Sequence, residues 1–268
     1  HIISLLIRLM YYYIQNTKMI NNIYKSSLIT GAGDGIGYET LKRFLKEKIT
    51  VYALDKNIKK LKILQKKFKF NIIELDLIDT NKLYKELSKL KIDILFANAG
   101  IGRGAEGILK ASRDDIDIST KINIESCLHT LKAVVPKMVK NRKGHVVLMG
   151  SLAGLYPQIS TVYGGQKGAI HRIAQSLRVE LSGSRVKVTE ICPGRTKTNF
   201  AKAAFEDKTK AKKFMSGFTL LEAKDIADTI MFALSTRWRS NISTIEISGT
   251  EQSPGGVPIY AVKDPILS

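Results

Sequence analysis

The chain has 268 residues, 44% of them apolar and 25% charged, a balance that excludes a disordered chain and a membrane-spanning bundle. One α/β domain of this length can bury a full core. A net charge of +19 raises nucleic acid as a partner, but the charge is mostly lysine spread along the chain, no block joins dense arginine to stacking aromatics, and nucleic acid is not expected.

Residues 1–25 are expected to form an extension outside the core, with Met19 as a natural start. His1 to Ile14 is apolar but carries Arg8, and it is shorter than the roughly 20 apolar residues of a spanning helix. Asn16-Thr17-Lys18 follows where a signal peptide has small residues. No membrane partner is expected, an anchor here being the weaker alternative. From Ser27 the pattern becomes regular. Ser27 to Thr30 is a short apolar strand, and Ile36 to Lys46 has helical periodicity. Thr50 to Leu54 is a second strand ending in Asp55, and the lysine-rich stretch from Lys59 to Lys69 reads as a helix with a solvated face. Asn71 to Leu75 is a third strand, Asn81 to Leu90 a helix, and Ile92 to Ala97 a fourth strand.

Asp114 to Asn141 holds one long helix or two shorter ones. His145 to Met149 is the fifth strand, Gly164 to Leu181 a helix, and Val186 to Ile191 the sixth strand. Lys202 to Lys213 is a polar helical stretch, Ala223 to Leu234 a helix, and Ile242 to Ile247 the seventh strand. Strands alternating with helices imply a doubly wound, Rossmann-type parallel sheet of about seven strands with helices on both faces. No repeat or linker interrupts it, so residues 26–268 are expected to form one domain.

Thr30-Gly31-Ala32-Gly33-Asp34-Gly35-Ile36-Gly37 joins the first strand to the first helix. Backbone N–H groups at a helix N-terminus bind phosphate, and glycine allows a pyrophosphate to approach. Asp55 ends the second strand, 20 residues after Gly35, where a carboxylate holds the ribose 2′-hydroxyl of NAD. It repels the extra phosphate of NADP, and Asp34 adds to that repulsion. NAD is the expected cofactor. NADP is the alternative, because Lys56 could pair with a 2′-phosphate. Two loop aspartates acting as helix caps is the plain reading of both.

Tyr163 and Lys167 are four apart at the start of a helix and share a face. Ser151 stands 12 residues before Tyr163, just after the fifth strand, at the sheet edge where open α/β proteins bind ligands. A free phenol ionises near pH 10. A neighbouring ammonium is expected to lower that value, so that Tyr163 shuttles a proton while Ser151 hydrogen-bonds the same oxygen. The two cysteines, Cys127 and Cys192, lie in no CxxC or Cys/His cluster, which fits a reduced, cytoplasmic setting. The four histidines lack metal-ligand spacing, and no metal is expected.

With these motifs in place, residues 26–260 resemble the short-chain dehydrogenase/reductase family. Besides the glycine turn and the Ser151, Tyr163, Lys167 set, the carriers are Asp76-Leu77, Asn98-Ala99-Gly100, Asn123 and Pro193 to Thr198. Ala97 stands where the family usually has a second asparagine. The resemblance implies that Gly31, Gly35, Ile36 and Gly37 hold the pyrophosphate and that Asp76 and Leu77 contact the adenine. Asn98, Ala99 and Gly100 would line the adenosine and ribose side. Asn123 would hold a water leading to Lys167, and Lys167 would bond the nicotinamide ribose. Pro193, Gly194, Thr196 and Thr198 would fix the carboxamide. Residues 199–216 would be a substrate lid, and the family is usually a homotetramer or dimer.

Within the family, Leu95 to Gly100, Gly150 to Gly154, Asn241 to Ile247 and Thr250 to Ser253 are similar to bacterial 3-hydroxy acid (serine/allo-threonine) dehydrogenases. Those enzymes generally use NADP and carry arginines after the second strand, where this chain has Asp55-Lys56-Asn57. A small alcohol or carbonyl substrate is implied, a 3-hydroxy acid first, with Arg195 or Lys197 anchoring its carboxylate. A 3-oxoacyl thioester, or a sugar or polyol, is the alternative. A dinucleotide-sensing protein without turnover is the reading from another class, which the intact Ser151, Tyr163, Lys167 and Asn123 set opposes.

Overall fold

Side chains that alternate along a strand face opposite sides of the sheet, and the central strands here are apolar on both. In the computed structural model, which describes residues 20–205 and 207–253, β1 (Ser26–Thr30) sends Leu28 to one core and Ile29 to the other. After β2 (Thr50–Asp55) and β3 (Asn71–Glu74), β4 (Ile94–Ala97) repeats the alternation, with Ile94 and Phe96 on one side and Leu95 and Ala97 on the other. Such two-sided burial requires helices on both faces. With β5 (Gly144–Met149), β6 (Val186–Pro193) and a C-terminal strand, they form one seven-stranded sheet, every pair parallel.

Two short strands, β7 (Thr196–Lys197) and β8 (Leu221–Glu222), pair outside the main sheet, and β9 (Thr244–Ile247) closes its edge. The order is β3-β2-β1-β4-β5-β6-β9, so the strand order reverses between β1 and β4, the crevice where ligands bind in such sheets. Helices Gly35–Lys46 and Ala223–Ser235 cover one face through Leu41, Phe44, Ile226 and Ile230. Helices Thr80–Leu87, Ser126–Lys140 and Thr161–Glu180 cover the other through Leu83, Val134, Met138 and Ile170.

One open reading resolves and three expectations change. The stretch from Asp114 to Asn141 is a single rod, Arg113–Thr120 and Ser126–Lys140 joined by a π-helical turn at Lys121–Glu125. The helix from Lys59 stops at Gln65. The polar stretch at 202–213 is two short helices, Phe200–Ala204 and Lys208–Phe214. Residues 20–24, expected in an extension outside the core, belong to it: Ile20–Ile23 is a helical turn, and Ile20 and Tyr24 are buried in the core. Residues 1–19 and 254–268 lie outside the described residues. Among the described residues, no helix is long and apolar enough to cross a membrane, and no group of three or more His, Cys, Asp or Glu residues could hold a metal ion.

Candidate active site

The glycine turn is built to a tolerance that only glycine meets. Gly31 and Gly35 have φ of 66° and 53°, in the left-handed region. A Cβ at Gly37 would collide with the Gly31 carbonyl oxygen, and one at Gly33 would stand 2.9 Å from the Asp55 carboxylate. Asn98 braces the turn from the next strand, its amide donating to the carbonyls of Thr30 (3.0 Å) and Gly31 (3.2 Å). Asn98 N and Ala99 N both donate to Thr30 Oγ1. The next helix therefore starts at a fixed place. Asp34 is its N-cap residue but makes no side-chain cap bond, and the first turn carries no acidic residue. Its N–H groups can therefore serve an anion, and the turn fits a pyrophosphate.

The acidic residues around the turn are engaged. Asp34 pairs with Lys60 at 2.5 Å and accepts from the Asn199 amide, and these contacts hold its carboxyl below the usual range against the effect of burial. Asp55 accepts from Gly33 N at 2.8 Å and Asn57 N at 2.9 Å. Asp76 pairs with Lys56 at 3.6 Å. Leu77, next to Asp76 in the chain, is buried in the same core cluster as Leu75 and Leu83.

Ser151, Tyr163 and Lys167 converge at the carboxyl end of β5. Ser151 caps the short helix Leu152–Leu155, its Oγ accepting from Ala153 N at 3.1 Å. Tyr163 and Lys167 project from the first turns of Thr161–Glu180. The Lys167 ammonium lies 5.9 Å from the Tyr163 ring centre and donates to the Met149 carbonyl at 2.7 Å. The expected lowering of the tyrosine pKa does not appear. Burial pushes the phenol up to about 12, with the Ser151 hydroxyl pulling the other way. Burial pushes Lys167 down to about 8. Desolvation disfavours both charged forms, and it is the largest cause at each residue.

Asn123 sits in the π-helical turn, a feature common at functional sites. Its side chain is clamped to Ile101, accepting from Ile101 N at 2.8 Å and donating to Ile101 O at 2.9 Å. A cavity of about 10 Å³ lies between Asn123 and Lys167, lined also by Thr30, Ala97 and Cys127. That is about the size of one water molecule, with polar partners on its walls. Burial pushes the Cys127 thiol up to about 11, so it is no nucleophile at neutral pH.

The loop after β6 packs against the glycine turn: a Cβ at Gly35 would meet Thr198 Cγ2 at 3.2 Å. Gly194 N donates to Ile247 O, and Thr196 Oγ1 to Gly194 O. Arg195 is half-buried. Its guanidinium lies 4.2 Å from the Phe214 ring centre and 5.5 Å from that of Phe218, and donates to the Phe214 carbonyl. It ties down the 199–216 segment. Lys197 lies in β7, across from Glu222 of β8.

Sequence reasoning missed three residues here. Gln166 is buried, accepts from Asn123 at 2.7 Å and donates to Ser119 at 2.7 Å; a polar residue on the buried side of a helix was its only signal. Phe200 packs on the Tyr163 ring with centroids 5.3 Å apart. The Gln252 side chain accepts from Arg195 N at 2.8 Å.

The short chain dehydrogenase family matches residues 25–209. An NADP-dependent 3-hydroxy acid dehydrogenase of Escherichia coli K12 is 30% identical over 243 residues, 87% of this chain and 98% of that protein. A serine 3-dehydrogenase of Agrobacterium fabrum is 32% identical over 242 residues, 87% of this chain and 97% of its own. The closed form of a serine dehydrogenase complexed with NADP+ superposes with a TM-score of 0.83 at 30% identity, covering 88% of this chain and all of that one.

Proposed function

The chain belongs to the short-chain dehydrogenase family and is an NAD(P)-dependent oxidoreductase acting on CH–OH groups; from that premise we propose that it oxidises a 3-hydroxy acid, and reduces the matching carbonyl, through Ser151, Tyr163, Lys167 and Asn123. The convergence of Ser151, Tyr163 and Lys167 at the end of β5 carries this reading. The dinucleotide, when bound, supplies the hydride acceptor. Gly31, Gly35, Ile36 and Gly37 would hold its pyrophosphate, Asp55 its adenosine ribose, and Asp76 with Asn98, Ala99 and Gly100 the surrounding adenosine. Pro193, Gly194, Thr196 and Thr198 would hold the carboxamide.

Ser151 Oγ hydrogen-bonds the carbinol oxygen. Tyr163 Oη takes the carbinol proton during oxidation and returns it during reduction. The phenol is neutral at neutral pH because burial pushes its pKa up to about 12, which suits the donor role in reduction. For oxidation Tyr163 must first give up its own proton, and the nearby positive charge of Lys167 lowers the cost of the phenolate without offsetting the rise that burial causes. Asn123 and the small cavity beside it would carry protons between Lys167 and solvent.

We assign NAD as the preferred cofactor, in departure from the NADP named for the similar proteins. Asp55 supports this. The nearby cations Lys56 and Lys60 pair with Asp76 and Asp34, which makes them weaker partners for a 2′-phosphate. The 199–216 segment would be the substrate lid, held by Arg195 and touching Tyr163 through Phe200. Free Cys127 and Cys192 fit a cytoplasmic enzyme. Exposed Leu128, Val139 and Val179 on the long helices fit a homo-oligomer, a tetramer or dimer.

The test is cofactor reduction, followed by absorbance, on L-serine, L-allo-threonine and 3-hydroxypropionate, with Tyr163→Phe beside the parent. Turnover on one of these acids that falls about 10³-fold in Tyr163→Phe, within the range for general acid–base catalysis, supports the reading. Undiminished turnover in the variant overturns the mechanism, and no turnover on any of the acids overturns the substrate class.

A further inference from the structure

At the end of the sheet opposite Ser151 and Tyr163, three separate segments close around a groove of about 750 Å³. The volume suits a small organic ligand. Arg142 comes from the turn before β5, Arg178 and Arg185 flank the turn into β6, and Trp238 and Arg239 come from the loop after Ala223–Ser235. Among the described residues, no carboxylate lines the groove. None of the four arginines has an acidic partner among the described residues, whereas Arg43, Arg103 and Arg113 each pair with an aspartate. Like charges gathered without a counter-charge repel, and an anion in the groove would relieve that repulsion.

The groove is held in shape. Lys187, buried at its floor, donates to the carbonyls of Thr236 and Arg237 and to Thr236 Oγ1, at 2.9–3.1 Å. Asn241 bonds both backbone groups of Val188. These bonds fix the loop that carries Trp238 and Arg239. The Arg185 guanidinium lies 4.5 Å over the Trp238 ring, which sets one aromatic and one cation together on a wall of the groove. Arg142 and Arg185 also stand at φ 50° and 66°.

We propose that this groove is a second binding site, for a nucleoside polyphosphate, with the arginines on the phosphates and the base stacked on the Trp238–Arg185 wall. Guanidinium forks pair with phosphate oxygens in parallel hydrogen bonds, and bases stack on indole rings and on guanidinium planes. The site is separate from the dinucleotide crevice. Strand β6 has eight residues and runs from Val186 in the groove to Pro193 at the crevice, roughly 23 Å at the usual rise per residue. A second copy of the chain would bring like charges together. A nucleic acid strand needs a longer track than one groove with one aromatic wall.

Trp238 is the single tryptophan of the chain, so intrinsic fluorescence reports on this site directly. The probe is ATP, titrated at low salt against the full-length protein, with tripolyphosphate and adenosine in parallel. A saturable change with ATP is expected, with tripolyphosphate competing and adenosine alone ineffective. The double variant Arg185→Gln/Arg239→Gln should weaken ATP by about tenfold or more and leave dehydrogenase kcat/KM unchanged. If that variant does not fold, Trp238→Phe followed by calorimetry replaces it, with weaker ATP binding expected. The proposal is overturned by no saturable change, by ATP affinity unaltered in the variants, by competition with the dinucleotide while fluorescence stays constant, or by binding of a single-stranded oligonucleotide where ATP fails.

Discussion

Replacing Asp55 by asparagine tests the assignment of NAD. The carboxylate cannot swing away from an incoming 2′-phosphate, because Gly33 N and Asn57 N hold its two oxygens at 2.8 and 2.9 Å. Lys60 and Lys56 offset it only in part, being paired with Asp34 and Asp76. A carboxylate and a phosphate dianion at ~5 Å, with an effective dielectric constant of ~40, repel by about 3 kcal/mol. That corresponds to roughly two orders of magnitude in rate. Parent kcat/KM, measured by nicotinamide absorbance, should favour NAD over NADP by about 100-fold. Asp55→Asn keeps an acceptor for Gly33 N and removes the charge, so the two cofactors should fall within about tenfold of each other. The variant also loses one turn bond, at about 1 kcal/mol of stability. A parent that prefers NADP, or a cofactor ratio in Asp55→Asn equal to the parent's, refutes the electrostatic reasoning.

Gly37→Ala drives a methyl group into the Gly31 carbonyl, and calorimetry should show dinucleotide binding at least tenfold weaker while circular dichroism keeps the fold, an effect of about 1.4 kcal/mol or more. Phe44→Ala empties a fully buried site under the glycine-turn helix and should cost about 3–5 kcal/mol in urea unfolding. His145 is buried between the Tyr24 hydroxyl and Thr189, and burial pushes its pKa from 6.5 down to about 3. Its neutral ring adds stability above pH 6.5 that is lost as pH falls towards 3, so thermal melts should decline over that window and His145→Gln should flatten the decline. Gln166→Ala leaves the Asn123 amide and Ser119 without their buried partner; kcat should fall about tenfold with KM little changed, and Gln166→Glu should give a shifted pH profile that a purely structural role would not produce.

Most of the sheet was legible because its signals are local. Alternation in Leu28-Ile29 and Ile94 to Ala97 marks strands buried on both faces, and a glycine-rich turn between strand and helix marks the crevice. Tyr163 and Lys167 could be read as a pair because four residues make about one helical turn. Edges were less clear. The short β7–β8 pair, the π-helical turn at Asn123 and the burial of Ile20 and Tyr24 depend on partners far away in the chain. Leu77 follows Asp76 directly, yet its side chain belongs to the core.

By itself the sequence determined the parallel α/β frame, the phosphate turn and the Ser151, Tyr163, Lys167 spacing, since each is written within one or two neighbouring elements. Tertiary structure decided what those groups experience. Burial raises Tyr163 and lowers Lys167, Phe214 and Phe218 claim Arg195, and Lys56 and Lys60 find Asp76 and Asp34. It also gathers Arg142, Arg185, Trp238 and Arg239, scattered over three segments, into one basic groove. Desolvation and Coulomb interaction depend on distance in space, and only the folded chain sets that distance.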